Sequence, residues 1–218
     1  MILYHGTSSA YLDAILKRGI QPGSSTGNGN WEGKIKAKKG FVYLSDIYPF
    51  YYAFPATKKP HDLLILKLNI EDESRLYPDE DFIARCLKRD IESFHDMELE
   101  EINAHVCLEA FKRYAMHSYK ANGIVAYKGT ISYDCIIDHI RVPLEGYTSE
   151  ILALGVDSVP IELNHHFMGH AYIRALDVLF ETRDVTKAAE VRMRAMYPSD
   201  EAYNEIQNMM KQLTKKEC

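Results

Sequence analysis

The chain has 218 residues, 46% of them hydrophobic and 26% charged, a balance that fits an ordinary globular protein with one core and an appended subdomain. No apolar run reaches the roughly 18 residues a membrane-crossing helix needs, which excludes a helical membrane protein. A net charge of −5 excludes the overall basicity of a general nucleic-acid binder. The charge is uneven: residues 21–60 hold six lysines against two acids, and residues 71–109 hold thirteen acids against four basic residues. The opening residues Met1 to Gly6 lack a basic, then apolar, leader, so no signal peptide is expected. Cys86, Cys107, Cys135 and Cys218 form no C-x-x-C pair, which predicts a reducing, cytoplasmic home.

In chain order, Ile2-Leu3-Tyr4 reads as a short buried strand. Ser8 or Ser9 is placed to cap a helix over Tyr11 to Arg18, with Leu12, Ile15 and Leu16 on one face and Gly19 as its stop. Residues 21–40 are rich in Gly, Ser, Asn and Lys, hold the sole tryptophan, Trp31, and read as a functional loop. Phe41 to Leu44 predicts a strand, after which Asp46 is placed to cap a short helix ending near Phe54. Leu63 to Leu68 predicts a strong strand. Residues 79–119 read as two helical segments, around 83–94 and 99–119. Residues 123–127 and 136–142 read as further strands. From about Glu145 the pattern turns helical, with Tyr172, Ile173, Leu176 and Leu179/Phe180 at helical spacing, and then Tyr203, Ile206, Met209/Met210 and Leu213.

Three short stretches carry chemistry. They are Tyr4-His5-Gly6-Thr7, then Gly40 to Asp46 with Tyr48, Phe50, Tyr51 and Tyr52 behind it, then Gly129 to Ile136. Each lies at a strand end or turn, where binding residues concentrate. A strand-end histidine can hydrogen-bond a ribose hydroxyl, and a neighbouring glycine lets a ligand approach the backbone. Paired tyrosines can sandwich a flat aromatic cation. A carboxylate can stabilise the oxocarbenium-like charge that grows on a sugar as its ring substituent leaves.

The order Leu3-Tyr4-His5-Gly6-Thr7, Ile15 to Ile20, Val42-Tyr43-Leu44-Ser45-Asp46 resembles the opening of the diphtheria-toxin and poly(ADP-ribose) polymerase branch of the ADP-ribosyltransferases. Residues 123–127 and 131–136 resemble that family's late strands. The resemblance implies an α+β fold: two small, highly twisted antiparallel sheets, split around an NAD cleft, over residues 1–144. A helical C-terminal subdomain follows at 145–218. It also implies that NAD is the substrate, with His5 on the nicotinamide-side ribose, the Gly6 backbone on the carboxamide and Thr7 on the adenosine side. Tyr43 is the motif tyrosine, and Tyr51 or Tyr52 the second stacking ring. Asp134 falls at the place of the motif glutamate, one methylene short of it, and Glu145 is the second candidate. The implied activity is single transfer of ADP-ribose to a nucleic acid or protein, as in a bacterial or phage toxin or effector. A neutralising protein partner fits that role, with neither membrane nor metal involved. The Lys34–Lys39 run with Trp31 would then lie near the pyrophosphate or the target.

Two alternatives stay open: a catalytically inactive module of this fold that binds ADP-ribose or a partner, and an NAD-dependent RNA 2′-phosphotransferase. His165, His166 and His170 lack the glutamate of an H-E-x-x-H site, and Gly169 weakens the helix there, so no metal is expected.

Overall fold

The computed structural model describes residues 1–27, 37–155, 169–197, 199, 200 and 204 in full, and residues 156 and 162–168 by backbone alone. Strand β1 (Ile2–Ser8) leads through a 3₁₀ turn, Ser9–Tyr11, into helix α1 (Leu12–Arg18). The Ser8 hydroxyl accepts from the Ala10 amide at that turn. Gly19 ends α1 at φ 75°, a left-handed conformation that glycine adopts without strain. A four-residue helix, α2 (Gly23–Thr26), begins the loop before β2 (Phe41–Ser45). Trp31, Lys34 and Lys36 lie outside the described residues. Helix α3 (Pro49–Ala56) follows, with proline at its first turn, where a missing amide costs nothing. Its approach is fixed by Ser45 rather than Asp46: the Ser45 hydroxyl accepts from the amides of Ile47 and Tyr48.

Strand β3 (Leu63–Asn69) is followed by β4 (Leu76–Pro78), then α4 (Glu80–Asp90) and α5 (Leu99–His105). A 3₁₀ segment, Leu108–Tyr114, leads into α6 (Ala115–Asn122), which Gly123 ends in the left-handed region. Strands β5 (Ile124–Lys128) and β6 (Ile136–Val142) complete the sheet. The tail adds α7 (Thr148–Ile151), α8 (Glu162–Thr182) and α9 (Val185–Met196). The expected helix around Tyr203 to Leu213 lies outside the described residues, apart from Asn204. Among the described residues no helix is long and apolar enough to cross a membrane.

The fold is α+β, and its six strands run antiparallel in the order β4-β5-β2-β1-β3-β6. Successive side chains of a strand point to opposite faces, so the sheet has a core on each side. Tyr4, Leu63, Ile65 and Ile140 pack with α3, α8 and α9 on one face. Leu3, Leu64, Leu66, Val42 and Leu44 pack with α1 on the other. A third cluster, around Tyr77, Ile83 and Ile102, joins α4 and α5 to the β4–β5 end. The middle of the sheet is thinly joined. Strand β1 pairs with β3 along seven residues but with β2 at Tyr4 and Ser45.

Candidate functional site

Past Tyr4 and Ser45, β1 and β2 separate, and a cleft of about 870 Å³ opens between them. That volume lies within the range of small-molecule and cofactor sites. The outgoing residues of β1, His5, Gly6 and Thr7, form one wall, and Phe41, Val42 and Tyr43 of β2 form the other.

Across this gap a side chain replaces the missing strand pairing. His5 Nδ1 lies 3.0 Å from the Tyr43 carbonyl oxygen. A carbonyl can only accept, so Nδ1 carries the proton and Nε2 keeps its lone pair. Burial lowers the histidine pKa from its ordinary value, partly offset by that hydrogen bond, so the ring is neutral at physiological pH.

Gly6 explains how the aromatic residues arrive. A β-carbon there would lie 1.8 Å from the Pro49 carbonyl oxygen, so only glycine lets α3 lie directly on β1. Helix α3 then carries Tyr51 and Tyr52 into the cleft, their ring centroids 5.3 Å apart and their planes at 87°. The two rings meet edge to face.

The other end of the cleft is hydroxyl- and glycine-rich. Ser24, Ser25 and Thr26 line it beside Arg18. Lys38, from the basic run, also lines the cleft, and its backbone amide donates to the Tyr43 hydroxyl at 2.9 Å.

The carboxylates of the cleft are Asp79, Glu80 and Asp81, where β4 passes into α4. Their ligand oxygens lie within 4.8 Å of one another, and among the described residues they are the one constellation with the spacing to hold a metal ion. Glu80 Oε2 accepts from the Tyr43 hydroxyl at 2.5 Å. Asp79 Oδ2 accepts from Asn122 at 3.1 Å, and its amide donates to Ser118 Oγ at 3.0 Å. Burial, then the Asp81 charge, pushes the Asp79 carboxyl up to about 7. Burial, then the Asp79 charge, raises Glu80 well above the usual carboxylate range. Asp81 is raised by burial and held back by Arg85. Burial and these acids also hold the Tyr52 phenol well above its ordinary value.

Asp134 is not among the lining residues. It sits exposed in the 3₁₀ turn Tyr133–Cys135 that leads to β6, and its carboxylate accepts from the Ser132 hydroxyl at 3.0 Å. Strand β6 pairs with β3 at the far end of the sheet, so its start is not carried into the β1–β2 gap. Glu145 is exposed on the surface, paired with Lys59 at 2.9 Å, and that ammonium holds its carboxyl below the ordinary value. Among the histidines discounted as metal ligands, His170 is exposed on α8, and the side chains of His165 and His166 lie outside the described residues.

His5, Gly6, Thr7, Tyr43, Tyr51 and Tyr52, six residues expected from the sequence, line the cleft, and Asp134 and Glu145 do not. The acids that do line it stand together in the sequence, three in a row after Pro78. Acids in a first helical turn already have a local explanation in the helix dipole, which hides any second role.

No protein-family model and no curated protein sequence matches this chain.

Proposed function

We propose that the chain binds NAD in the β1–β2 cleft and transfers its ADP-ribose group to an acceptor, as an ADP-ribosyltransferase of the histidine–tyrosine–acid class. One observation carries the reading. His5 and Tyr43, 38 residues apart, meet across a cleft that a tyrosine pair and a buried carboxyl group also line. The neutral His5 ring offers Nε2 to a ribose hydroxyl. Tyr51 and Tyr52 offer π-faces to a nicotinamide cation. The hydroxyl-rich end beside Arg18 suits a pyrophosphate. The parting of the sheet between β1 and β2 supports the split, twisted arrangement that the resemblance implies. On this reading the protein is a mono-ADP-ribosyltransferase of toxin or effector type that acts in the cytoplasm on a nucleic acid or protein and is held in check by a protein partner.

A second reading is a module that binds ADP-ribose or a nucleotide without turning it over. It is favoured by the position of Asp134, whose carboxylate stands outside the cleft.

Incubation with NAD labelled in the nicotinamide and in the adenosine moiety separates the two. The transferase reading expects nicotinamide release and label entering a protein, RNA or DNA pool. His5→Ala should slow release by about 100-fold, the scale of losing one positioned transition-state hydrogen bond. Asp134→Ala should retain activity. NAD binding seen by calorimetry without release would favour the binding module. Absence of both binding and release would overturn the transferase reading.

A further inference from the structure

We propose that Glu80 is the carboxyl group that acts on the sugar, and that Tyr43 is its positioning residue rather than a ring that stacks on the ligand. The proposal rests on the reading of the cleft as an NAD site.

The three carboxylates at the start of α4 have different surroundings. Asp79 is fully buried and held from behind by Asn122 and Ser118, which ties it to α6. Asp81 has Arg85 as its charge partner one helical turn on. Glu80 alone is hydrogen-bonded to a residue of β2, and β2 forms the cleft wall opposite β1.

Tyr43 is committed at both ends. Its hydroxyl donates to Glu80 at 2.5 Å and accepts from the Lys38 amide at 2.9 Å. Its ring packs partly buried against the cluster formed by α4 and α5. Its carbonyl accepts from His5 Nδ1 at 3.0 Å. One residue thus orients the imidazole through its backbone and the carboxyl through its side chain. That arrangement ties the imidazole and the carboxyl to one shared residue. Pre-set geometry of this kind lowers the reorganisation needed at the moment of reaction.

The bond between ribose C1′ and the nicotinamide nitrogen breaks, and its electron pair leaves with nicotinamide, which departs neutral. The positive charge left on the sugar is stabilised by the Glu80 carboxylate. Without another acceptor, water forms the new C–O bond at C1′ and passes a proton to Glu80, which returns it to solvent. NAD and water thereby become ADP-ribose, nicotinamide and a proton. Burial beside Asp79 disfavours the ionised form of Glu80, and the Tyr43 hydrogen bond favours it. A positively charged nicotinamide ring entering the cleft adds to the second effect.

Glu80→Gln, Tyr43→Phe and the double variant test the assignment through nicotinamide release, pH profiles and carbon-13 NMR titration of the Glu80 carboxyl in labelled protein. Glu80→Gln should lower kcat by about 100-fold and change the KM for NAD less than about threefold. Tyr43→Phe should lower kcat by about tenfold and shift the acid limb of the profile to higher pH, because the carboxylate loses a donor. The Glu80 titration should shift the same way in the ligand-free protein. The double variant should be no slower than Glu80→Gln, since Tyr43 acts through that carboxyl. Glu80→Gln retains the size and burial of the native residue, and an unchanged thermal midpoint would show that it folds. Wild-type turnover with an undiminished Glu80→Gln rate overturns the proposal and leaves the NAD reading standing. Tyr43→Phe with full kcat and an unmoved titration overturns the positioning role. A wild type that releases no nicotinamide overturns both the proposal and the reading beneath it.

Discussion

At Gly6 a methyl group would need the space of the Pro49 carbonyl, with the Pro49 carbon and the Ala53 amide nitrogen close behind. All three are backbone atoms, so no rotamer change relieves the clash. Gly6→Ala should therefore destabilise the fold by roughly 3 kcal/mol, measured as a fall of about 10 °C in Tm. A loss of less than a third of that would mean that α3 shifts freely on β1. The sequence makes the need for a small residue beside His5 visible, but not the reason. From the sequence Gly6 offers room for a ligand to approach the backbone, and the structure adds a helix seated against the same position. Tyr43 stands out in the sequence through the resemblance of Val42-Tyr43-Leu44-Ser45-Asp46 to a family motif. Its partner Glu80 does not, because that hydrogen bond spans 37 residues and passes from a strand to a helix start. Nothing within either segment encodes such a meeting.

At the scale of elements, the start of α4 combines a helix N-terminus with a buried acid. Asp79 holds its proton up to about pH 7 in the folded chain, whereas an ordinary aspartate releases it near roughly pH 4. Between those values the folded state binds a proton that the unfolded state has lost. Stability therefore falls as pH rises through that window and levels off above it. Urea unfolding from pH 4.5 to 8 should show the decline, and Asp79→Asn should reduce it, with Glu80 and Asp81, raised in the same direction, supplying the rest. A slope undiminished by the substitution would place its source elsewhere. Strands β1, β2, β3, β5 and β6 were readable from short apolar runs bounded by turn residues. Strand β4 was not: it has three residues, ends in Pro78, and takes its strand character from pairing with β5. The helical stretch expected over 99–119 is divided, with 3₁₀ structure at Leu108–Tyr114 between α5 and α6. That segment packs against β4, and the local pattern carries no sign of the contact.

At the scale of the whole molecule, the tail does not keep its apolar face to itself. Leu176, Leu179 and Phe180 of α8 and Met193 of α9 share one cluster with Tyr4, Ile65 and Val142 of the sheet. Arg183, just after α8, reaches the sheet edge as well, pairing with Asp138 at 2.7 Å and donating to the His139 carbonyl at 3.2 Å. Leu179 is fully buried in this shared cluster, so Leu179→Ala should cost about 2–5 kcal/mol in one cooperative unfolding transition. Two transitions, with only the tail affected, would show that residues 145–218 fold apart from the sheet. The sequence marks a change of texture near Glu145. It leaves open which surface the new helices cover, because an amphipathic pattern specifies a buried face and not the partner.

The seam at Tyr4 and Ser45 has one more consequence. The strands on its two sides alternate along the chain: β1 and β3 on one side are separated in sequence by β2 of the other, and the pair β4 and β5 is flanked in sequence by β3 and β6. No single cut could release either half-sheet as a continuous fragment. The histidine wall and the tyrosine–glutamate wall are woven from the same thread, so the chain must be threaded through both halves before either wall has anything to face.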